Sequence, residues 1–439
     1  MVRIRNMLAL LRGQLWPLPL AIALSGVGLA YLVLTYGSAV FAALDVGRRG
    51  LWWLYSGDAG TARGLLSSML SGLMTMTSLV VSVTFVILTL SAQQLGPRLV
   101  PTFMGDRQIQ AVLGLFIGTI LYLLVVLRTI HDTLGGEGVP HLAVTVASGL
   151  TVLCLLALLF YVHKIARSIV ADNVVEAVAR ILARSIREML PERPGPGGDA
   201  PDLPPGPAIA RLSLGRSGSI QAVDYDRLVR LAREHDLVLR VCVRAGHFVL
   251  SRGDHVTLHG GRMDERIASG IREAFVIGAE RSPAQDLEFA MRQLVEIGLR
   301  ALSSGINDPF TAIAVVDRLA AALEEILRRA PQPRVLRDGA GTPRVIADRS
   351  TVAGLVDAAF DSLREAASGS PAVLIRMADV LAALAPSLSD DAAATAARRQ
   401  LERIAGTAEI GPLSRSDRDA VLRRVALAGE AIAGRGPAP

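Results

Sequence analysis

The stretch Leu65–Leu95, with the sequence LLSSMLSGLMTMTSLVVSVTFVILTLSAQQL, decides how the rest of the chain is interpreted. It is apolar and exceeds the roughly 20 residues that cross the hydrocarbon core of a bilayer as a helix. Hydroxyl side chains recur along one side of it at helical spacing, at Ser71, Thr75, Ser78, Ser82 and Thr89. The sequence therefore predicts a membrane helix with one polar face.

The composition predicts a membrane domain followed by a more polar region. The chain has 439 residues, of which 51% are hydrophobic, and its mean hydropathy of +0.42 lies above the usual range of water-soluble proteins. Residues 163–439 carry 37 Lys and Arg against 35 Asp and Glu, so nucleic-acid binding is not expected. Lys164 is the only lysine, so no Walker-type phosphate loop or lysine nucleophile is expected elsewhere in the chain.

Four segments are predicted to cross the membrane: Trp16–Phe41, Leu66–Leu90, Ile109–Ile130 and His141–Val162. Basic residues precede the first span, separate the second from the third and follow the fourth, so the positive-inside rule places both termini in the cytoplasm. The loop from Asp132 to Pro140, whose formal charges are all acidic, supports this topology, whereas Arg48, Arg49 and Arg63 in the first outside loop oppose it.

The predicted fold class is a mainly α membrane protein with four transmembrane helices, a long cytoplasmic stalk helix, a small α/β module and a C-terminal helical domain. The stalk continues the fourth span and keeps an apolar face, so it needs a partner surface on another copy or on the following domain. The expected parts are the transmembrane domain 1–162, the stalk 163–190, a proline-rich linker 191–207, the α/β module 208–260, the helical domain 261–433 and a disordered tail 434–439.

Hydrophobic periodicity and turn residues predict the local elements of the last two domains. Expected strands cover residues 209–214, 219–223, 237–243 and 247–250, with an amphipathic helix at 225–235. Expected helices cover residues 263–278, 283–302 and 309–329, then four more between 352 and 433, and a hairpin pairs 334–336 with 344–346. The sequence Ser282-Pro283-Ala284-Gln285 has the residue types of a complete helix start.

A polar turn precedes the next helix, for which Asp308 is the expected cap and Pro309 the first residue. The polar side chains that converge there are Ser303, Ser304, Asn307, Asp308 and Thr311. They fit a ligand-binding turn beside a helix N-terminus, where backbone amides favour an anion. They equally fit a turn in which each side chain only caps or turns the backbone.

Metal and cofactor sites receive little support from the sequence. Cys154 and Cys242 form neither a disulfide framework nor a zinc-ligand pair at motif spacing. His247, Asp254, His255 and His259 lie close together in the sequence, but their spacing fits no recognised metal motif. We expect no cofactor and no metal, and none of the functional hypotheses requires an enzyme.

The polar face of the second span has two interpretations. Small and hydroxyl residues mediate close packing of membrane helices, and they also line water-filled pores or cavities. In the second case the lining would add Gln93 at the inner end, and Phe85 would form an apolar constriction. The two alternatives stay open at this point, and hydroxyls on other sides of the same helix leave its rotation open as well.

Three motifs resemble a family of bacterial predicted membrane proteins of unknown function. They are Ser91–Arg98 (SAQQLGPR), the pair Gln285-Asp286 and Arg300–Ala312 (RALSSGINDPFTA). The resemblance covers nearly the whole chain, and the chain departs from the family pattern at Ser304, where proline is more usual. It implies a place in the bacterial inner membrane but no established activity, and it implies that the 303–311 turn does more than cap a helix.

The functional hypothesis from the sequence is an oligomeric, channel-like membrane protein whose second spans line a pore or cavity and whose cytoplasmic region assembles or gates it. The expected partners are the lipid bilayer and other copies of the same chain, with an unidentified ion or small ligand. One alternative is a membrane-tethered sensor that conducts nothing and binds its ligand at the 303–311 turn, and another is a plain scaffold.

Overall fold

The computed structural model describes residues 16–43, 58–95, 106–130, 140–168, 171–192, 207–283, 285–388 and 391–434. The fold is mostly helical and separates into two compact units. We call residues 16–168 the membrane unit and residues 171–434 the C-terminal unit, and each is described by itself. The expected linker falls mainly outside the described residues, as does the tail beyond residue 434.

The described residues of the membrane unit form four long helices: α1 Pro17–Ala43, α2 Ala59–Leu95, α3 Arg107–Thr129 and α4 His141–Ser168. Each includes a stretch long and apolar enough to cross a membrane, and these stretches are Pro17–Gly37, Ala59–Leu90, Arg107–Thr129 and His141–Ile165. The four predicted spans are thus confirmed as helices of spanning length and composition. Residues 48 and 49, which opposed the predicted topology, lie outside the described residues.

Polar contacts at the helix ends order the bundle. Arg63, near the start of α2, donates a hydrogen bond to the Ile130 carbonyl just after α3 (2.9 Å). At the other end of α3, Asp106 caps the helix and pairs with Lys164 of α4 (2.7 Å). The start of one helix therefore meets the end of the next, as expected for helices that cross in alternating directions.

The helix α1 crosses α3 at glycines. A Cβ atom added to Gly114 would lie 2.9 Å from the Pro19 Cα atom, and one added to Gly26 would overlap the carbonyl oxygen of Gly118. Such distances leave no room for a side chain. The two backbones approach each other because these positions carry no side chain, as small residues permit in membrane helices.

The described residues of the C-terminal unit form two β-sheets. Its strands are β1 Ala210–Leu212, β2 Gly218–Val223, β3 Val238–Val241, β4 Phe248–Val249, β5 Val256–His259, β6 Phe275–Gly278, β7 Val335–Arg337 and β8 Pro343–Ala347. One sheet has the order β1-β5-β3-β8-β7 and the other the order β4-β2-β6. Neighbouring strands are antiparallel except β3 and β8, which are parallel. Their apolar side chains form one core with the adjacent helices.

Both sheets extend across the domain boundary expected at residue 260. Strand β6 pairs with β2, and β8 of the predicted hairpin pairs with β3, so both sheets draw strands from each side of that position. The helix expected at 263–278 is correspondingly shorter, ending at Glu273 before β6. Phe275 and Ile277 are buried in the paired strand, so tertiary pairing overrides the local helical pattern.

The helices of the C-terminal unit are α5 Ala171–Met189, α6 Tyr225–Glu234, α7 Glu265–Glu273, α8 Leu287–Ala301, α9 Pro309–Leu327, α10 Val352–Ala366, α11 Pro371–Ala383, α12 Asp391–Ile410 and α13 Arg415–Ala433. The predicted stalk corresponds to α5, whose apolar face packs on α8 and α9. Its partner surface is therefore supplied by the following domain of the same chain. Residues 169 and 170 of the expected uninterrupted helix lie outside the described residues.

Candidate functional site

All seven residues of the predicted pore or cavity lining are exposed on α2. They are Ser71, Thr75, Ser78, Ser82, Phe85, Thr89 and Gln93, and we call them the α2 stripe. At about 100° of rotation per residue, the stripe lies within about 40° of a single line along the helix. The buried residues Ala62, Leu66, Leu73 and Val80 lie on the opposite side, where the other helices pack. The structure thus brings the predicted residues together on one surface.

The rotation of α2, which the sequence left open, follows from its other hydroxyls. Thr84 is half-buried, donates a hydrogen bond to the Val80 carbonyl (2.7 Å) and contacts the Tyr161 hydroxyl of α4. Thr77 is also half-buried and donates to the Leu73 carbonyl (2.7 Å). These two threonines therefore face the bundle, whereas the α2 stripe faces away from it.

Nothing in the described membrane unit covers the α2 stripe. Phe85 is 62% exposed, and a Cβ atom added to Gly64, which continues the stripe toward the start of α2, would meet no atom within 4 Å. Two of its hydroxyls bind their own helix, since Thr75 donates to the Ser71 carbonyl (3.0 Å) and Thr89 to the Phe85 carbonyl (2.9 Å). The stripe can therefore face either water or another protein surface without losing these bonds.

The 303–311 turn uses most of its polar groups to hold its own shape. Asp308 accepts hydrogen bonds from the Phe310 and Thr311 amides (3.1 Å each) and from the Thr311 hydroxyl (2.5 Å). The Thr311 hydroxyl and these amides lower the pKa of the Asp308 carboxyl. Ser303 donates to the Arg300 carbonyl (2.7 Å), and Asn307 adopts a left-handed conformation with φ of 50°. Asp308 is confirmed as the helix cap, and Ser304 is exposed. Ligand binding at the turn stays a prediction.

The preceding helix begins later than predicted. Its cap is Asp286, which accepts from the Phe289 amide (2.9 Å), so the predicted start at Ser282 is wrong. Gln285 instead extends the contact with the end of β2: it accepts from the Val223 amide (2.9 Å) and donates to the Val223 carbonyl (3.2 Å). This double hydrogen bond holds residue 285 outside the helix and leaves the capping role to the next residue.

A charged cluster surrounds the pair Gln285-Asp286. The buried Asp286 carboxylate binds the Arg281 guanidinium at 3.0 and 2.5 Å. Arg244 pairs with Glu288 (2.7 Å) and Asp348 (3.1 Å). These interactions are stronger than surface ion pairs because the groups are only partly exposed and carry directed hydrogen bonds. The cluster joins residues that are distant in the sequence, and the sequence analysis did not find it.

A cleft of about 540 Å³ opens beside this cluster. Its lining includes Arg281, Glu288, Arg292, His247, His255, Phe248 and Leu250. His255 is buried, and its Nδ1 atom accepts a hydrogen bond from the Leu214 amide (3.2 Å), so the neutral ring carries its proton on Nε2. Burial and the nearby Arg244 lower the pKa of His247. The lowered pKa of His247 and the hydrogen bond accepted by His255 both favour the neutral imidazole, in a cleft with apolar and ionic walls.

The predicted metal candidates do not gather around one point. Asp254 pairs with Arg211 on the first sheet (3.0 Å), and Cys242 is exposed. Within the described residues, no group of three His, Cys, Asp or Glu side chains is arranged to hold a metal ion.

Four apolar helices of spanning length and a folded unit outside them define an integral membrane protein. The chain belongs to the family described as predicted membrane protein DUF2254, whose model matches residues 12–383. Similar relatives are uncharacterized protein Rv1290c from Mycobacterium tuberculosis and uncharacterized protein Mb1321c from Mycobacterium bovis. Each is 29% identical over 446 aligned residues, which cover 98% of this chain and 83% of the relative. No solved structure matches. The comparisons confirm the family resemblance and attach no activity to it.

Proposed function

We propose that the protein is an oligomeric membrane protein in which the α2 stripes of neighbouring copies line a polar pathway through the membrane. The observation that carries the proposal is the direction of the stripe, which faces away from the other three helices of its own bundle. Thr75 and Thr89 bond to their own helix, but the hydrocarbon core of a bilayer offers no hydrogen bonds to the other polar side chains of the stripe, so a second copy or enclosed water is the more favourable neighbour for this surface. Phe85 would then narrow the pathway, and Gln93 would stand at one mouth.

The proposed membrane is the bacterial inner membrane, with both termini in the cytoplasm. The distribution of arginine and Lys164 around the spans supports this orientation. Cysteines placed between Asp132 and Pro140, after replacement of Cys154 and Cys242, should react with an impermeant thiol reagent outside intact cells. A cysteine at Asp199 should react only after the membrane is opened. Reaction of both from the same side would exclude a four-span topology.

Thiol labelling tests whether the α2 stripe faces water. In full-length protein without native cysteines, Ser78→Cys and Ser82→Cys should react with a small charged thiol reagent, because the thiolate forms only in water. Leu159→Cys is the matched control, since Leu159 is an exposed apolar residue of α4 that should face lipid. Stripe cysteines as unreactive as the control would refute a water-filled pathway.

Cross-linking separates the pathway from simple helix packing. If the α2 stripes of neighbouring copies meet without water between them, Ser78→Cys should form an intermolecular disulfide and stay unlabelled. A mass measurement of the solubilised protein gives the number of copies. A monomer in both detergent and lipid nanodiscs would refute the oligomer.

Flux measurements test conduction directly. Phe85→Ala should raise ion flux in reconstituted vesicles, because it removes an apolar ring that disfavours water. The result that would refute conduction is a flux equal to that of empty vesicles, for both wild type and Phe85→Ala, under every membrane potential and ionic gradient tried. The second candidate function, given next, would then be favoured.

The second candidate is a membrane-tethered sensor, and the observation that favours it is the cleft beside Asp286. Arg244, Arg281 and Arg292 balance Asp286, Glu288 and Asp348 there, so the cleft suits a neutral or zwitterionic ligand with an apolar part better than a polyanion. A screen of amino acids against full-length protein, with Arg292→Ala as the control variant, tests this candidate. A thermal shift that Arg292→Ala abolishes would support it, and no shift would count against it.

A further inference from the structure

Several helices of the C-terminal unit run in the same direction. Helix α10 is parallel to α8, because Ser350, just before α10, donates to Glu288 near the start of α8 (3.1 Å), and Leu363 near its end lies against Gly298. Helix α12 is parallel to α10, because Asp361 binds Arg403 (2.6 Å) and Arg364 binds Thr407 (2.5 Å). The ends of α8, α10 and α12 therefore lie at one end of the unit.

The connections that follow these three helices lie at that same end. They comprise residues 302–308, 367–370 and 411–414, and we call this part of the molecule the turn end. Two large apolar side chains that flank these connections are almost fully exposed. Phe310, just after the first connection, is 82% exposed, and Ile410, just before the third, is 90% exposed. Ile306 in the first connection is exposed as well. Three exposed apolar side chains thus share one end of the unit, and contact with an apolar phase there would remove them from water.

Helix α5 begins at the turn end. It runs parallel to α9, since Glu176 pairs with Arg318 (2.7 Å), Arg187 with Glu325 (3.4 Å), and the Pro191 carbonyl accepts from the Ala330 amide (3.2 Å). At 1.5 Å per residue, Phe310 precedes Arg318 by about 12 Å along α9, and Ala171 precedes Glu176 by about 8 Å along α5. Phe310 therefore lies slightly beyond the level at which α5 starts.

The chain enters α5 directly from a membrane span. The last apolar residue of the fourth span is Ile165, and α5 begins at Ala171. A fully extended chain between these two residues reaches at most about 20 Å. Only five residues therefore separate the last apolar residue of the fourth span from the first residue of α5.

We propose that the turn end rests on the lipid surface, with Phe310, Ile410 and Ile306 inserted between the headgroups. Moving aromatic and aliphatic side chains from water into such a boundary lowers the free energy of the system. Arg415, the first residue of α13, is exposed and would meet a lipid phosphate, although exposed Glu409 offsets its charge. The contact therefore depends on the apolar side chains more than on net charge. It also gives the 303–311 turn a role that does not require a bound ligand.

Quenching by labelled lipids tests the proposal in the full-length protein. An environment-sensitive fluorophore is attached to Phe310→Cys or Ile410→Cys in protein without native cysteines, reconstituted in phosphatidylcholine and phosphatidylglycerol nanodiscs that each hold one copy. The control is Leu250→Cys, because Leu250 is 67% exposed and lines the cleft near the start of α8, away from the turn end. Lipids brominated on their acyl chains should quench the first two probes at least about threefold more than the control, as expected for side chains inserted at the interface.

Two outcomes would overturn the proposal. One is quenching at positions 310 and 410 no stronger than at 250. The other is a probe at position 310 whose emission wavelength shows an environment shielded from water but whose intensity is the same in brominated and ordinary lipids. That result would mean that protein, and not lipid, covers the turn end. Because Phe310 and Ile410 are exposed, neither substitution removes a buried contact, and loss of folding is not expected.

Discussion

The membrane unit has two faces built from small residues, and they differ in what lies against them. Where α1 crosses α3, a side chain at Gly26 or Gly114 would overlap atoms of the neighbouring helix. On α2, an added atom at Gly64 meets nothing, and the hydroxyls that follow it are exposed. Small residues therefore make an internal contact on one face and an open surface on the other, and their presence alone does not reveal which.

Because of this difference, substitutions on the two faces should affect different properties of the protein. The α1–α3 crossing is complete within one chain, so it should contribute to the stability of the monomer. The α2 stripe is exposed on the side of its helix that faces away from the bundle, so its residues should affect assembly or permeation and leave the monomer's stability nearly unchanged. Paired substitutions, one on each face, test this contrast.

The largest effect is expected from Gly118→Leu. The side chain would be forced against the Ile22 carbonyl, 3.1 Å from the position of an added Cβ atom, and overpacking of a close contact costs about 3 kcal/mol at the upper end of its usual range. The melting temperature of the detergent-solubilised protein should fall strongly. Gly64→Leu is the control on the open face and should change the unfolding free energy by less than about 0.5 kcal/mol. Equal losses for both variants would contradict the contrast.

A second large loss of stability is expected in the C-terminal unit, where buried Asp286 contrasts with Asp308 at an accessible turn. Asp286→Ala leaves the Arg281 guanidinium without its buried partner and should cost about 3 kcal/mol. Asp308→Ala removes a helix cap at an accessible turn and should cost about 1 kcal/mol. Chemical denaturation of the full-length protein measures both. A larger loss for Asp308→Ala would indicate that the turn has partners beyond those of its own helix.

The cap at Asp308 should also depend on pH. Because its folded pKa is depressed by the Thr311 hydroxyl and the helix amides, the carboxylate contributes stability above its ordinary pKa, and this contribution is lost as the pH falls through the folded pKa. The difference in unfolding free energy between wild type and Asp308→Ala should therefore shrink in strong acid. A difference that grows as the pH falls would contradict the assignment.

A smaller effect is expected from Tyr161→Phe in the membrane unit. It removes the hydrogen bond from the Tyr161 hydroxyl to the Val80 carbonyl (3.0 Å) and the contact with Thr84, at a cost of about 1 kcal/mol. Ser78→Ala on the α2 stripe should be nearly neutral in the same unfolding assay. Comparable destabilisation by Ser78→Ala would show that the stripe is packed within the monomer.

The smallest effect on stability is expected from Thr75→Val, which keeps the shape of the side chain and removes only a bond to its own helix. Unfolding should be unchanged within about 0.5 kcal/mol. Flux should fall if Thr75 lines a hydrated pathway, because a polar group there is replaced by an apolar one. Thr84→Val, on the packed side, should show the reverse pattern of lower stability and unchanged flux.

Several parts of this protein follow from local patterns in its sequence. Four apolar runs predicted four membrane helices, since only a helix satisfies its backbone hydrogen bonds within one segment in lipid. Residues 307–309 identified a helix start because an aspartate cap followed by proline is a local signal. The motif around residue 300 identified the family.

Other features depend on partners that are distant in the sequence, and they emerge only in the folded chain. Strand β6 lies where the sequence has a helical pattern, because β2 supplies its hydrogen bonds from a segment far earlier in the chain. Likewise, the cluster at Asp286 joins three separated segments, so no spacing in the sequence could indicate it. The direction of the α2 stripe was equally undetermined, because hydroxyls occur on several sides of that helix, and the contacts of Thr84 with Tyr161 and of Val80 with the bundle fix which side faces inward.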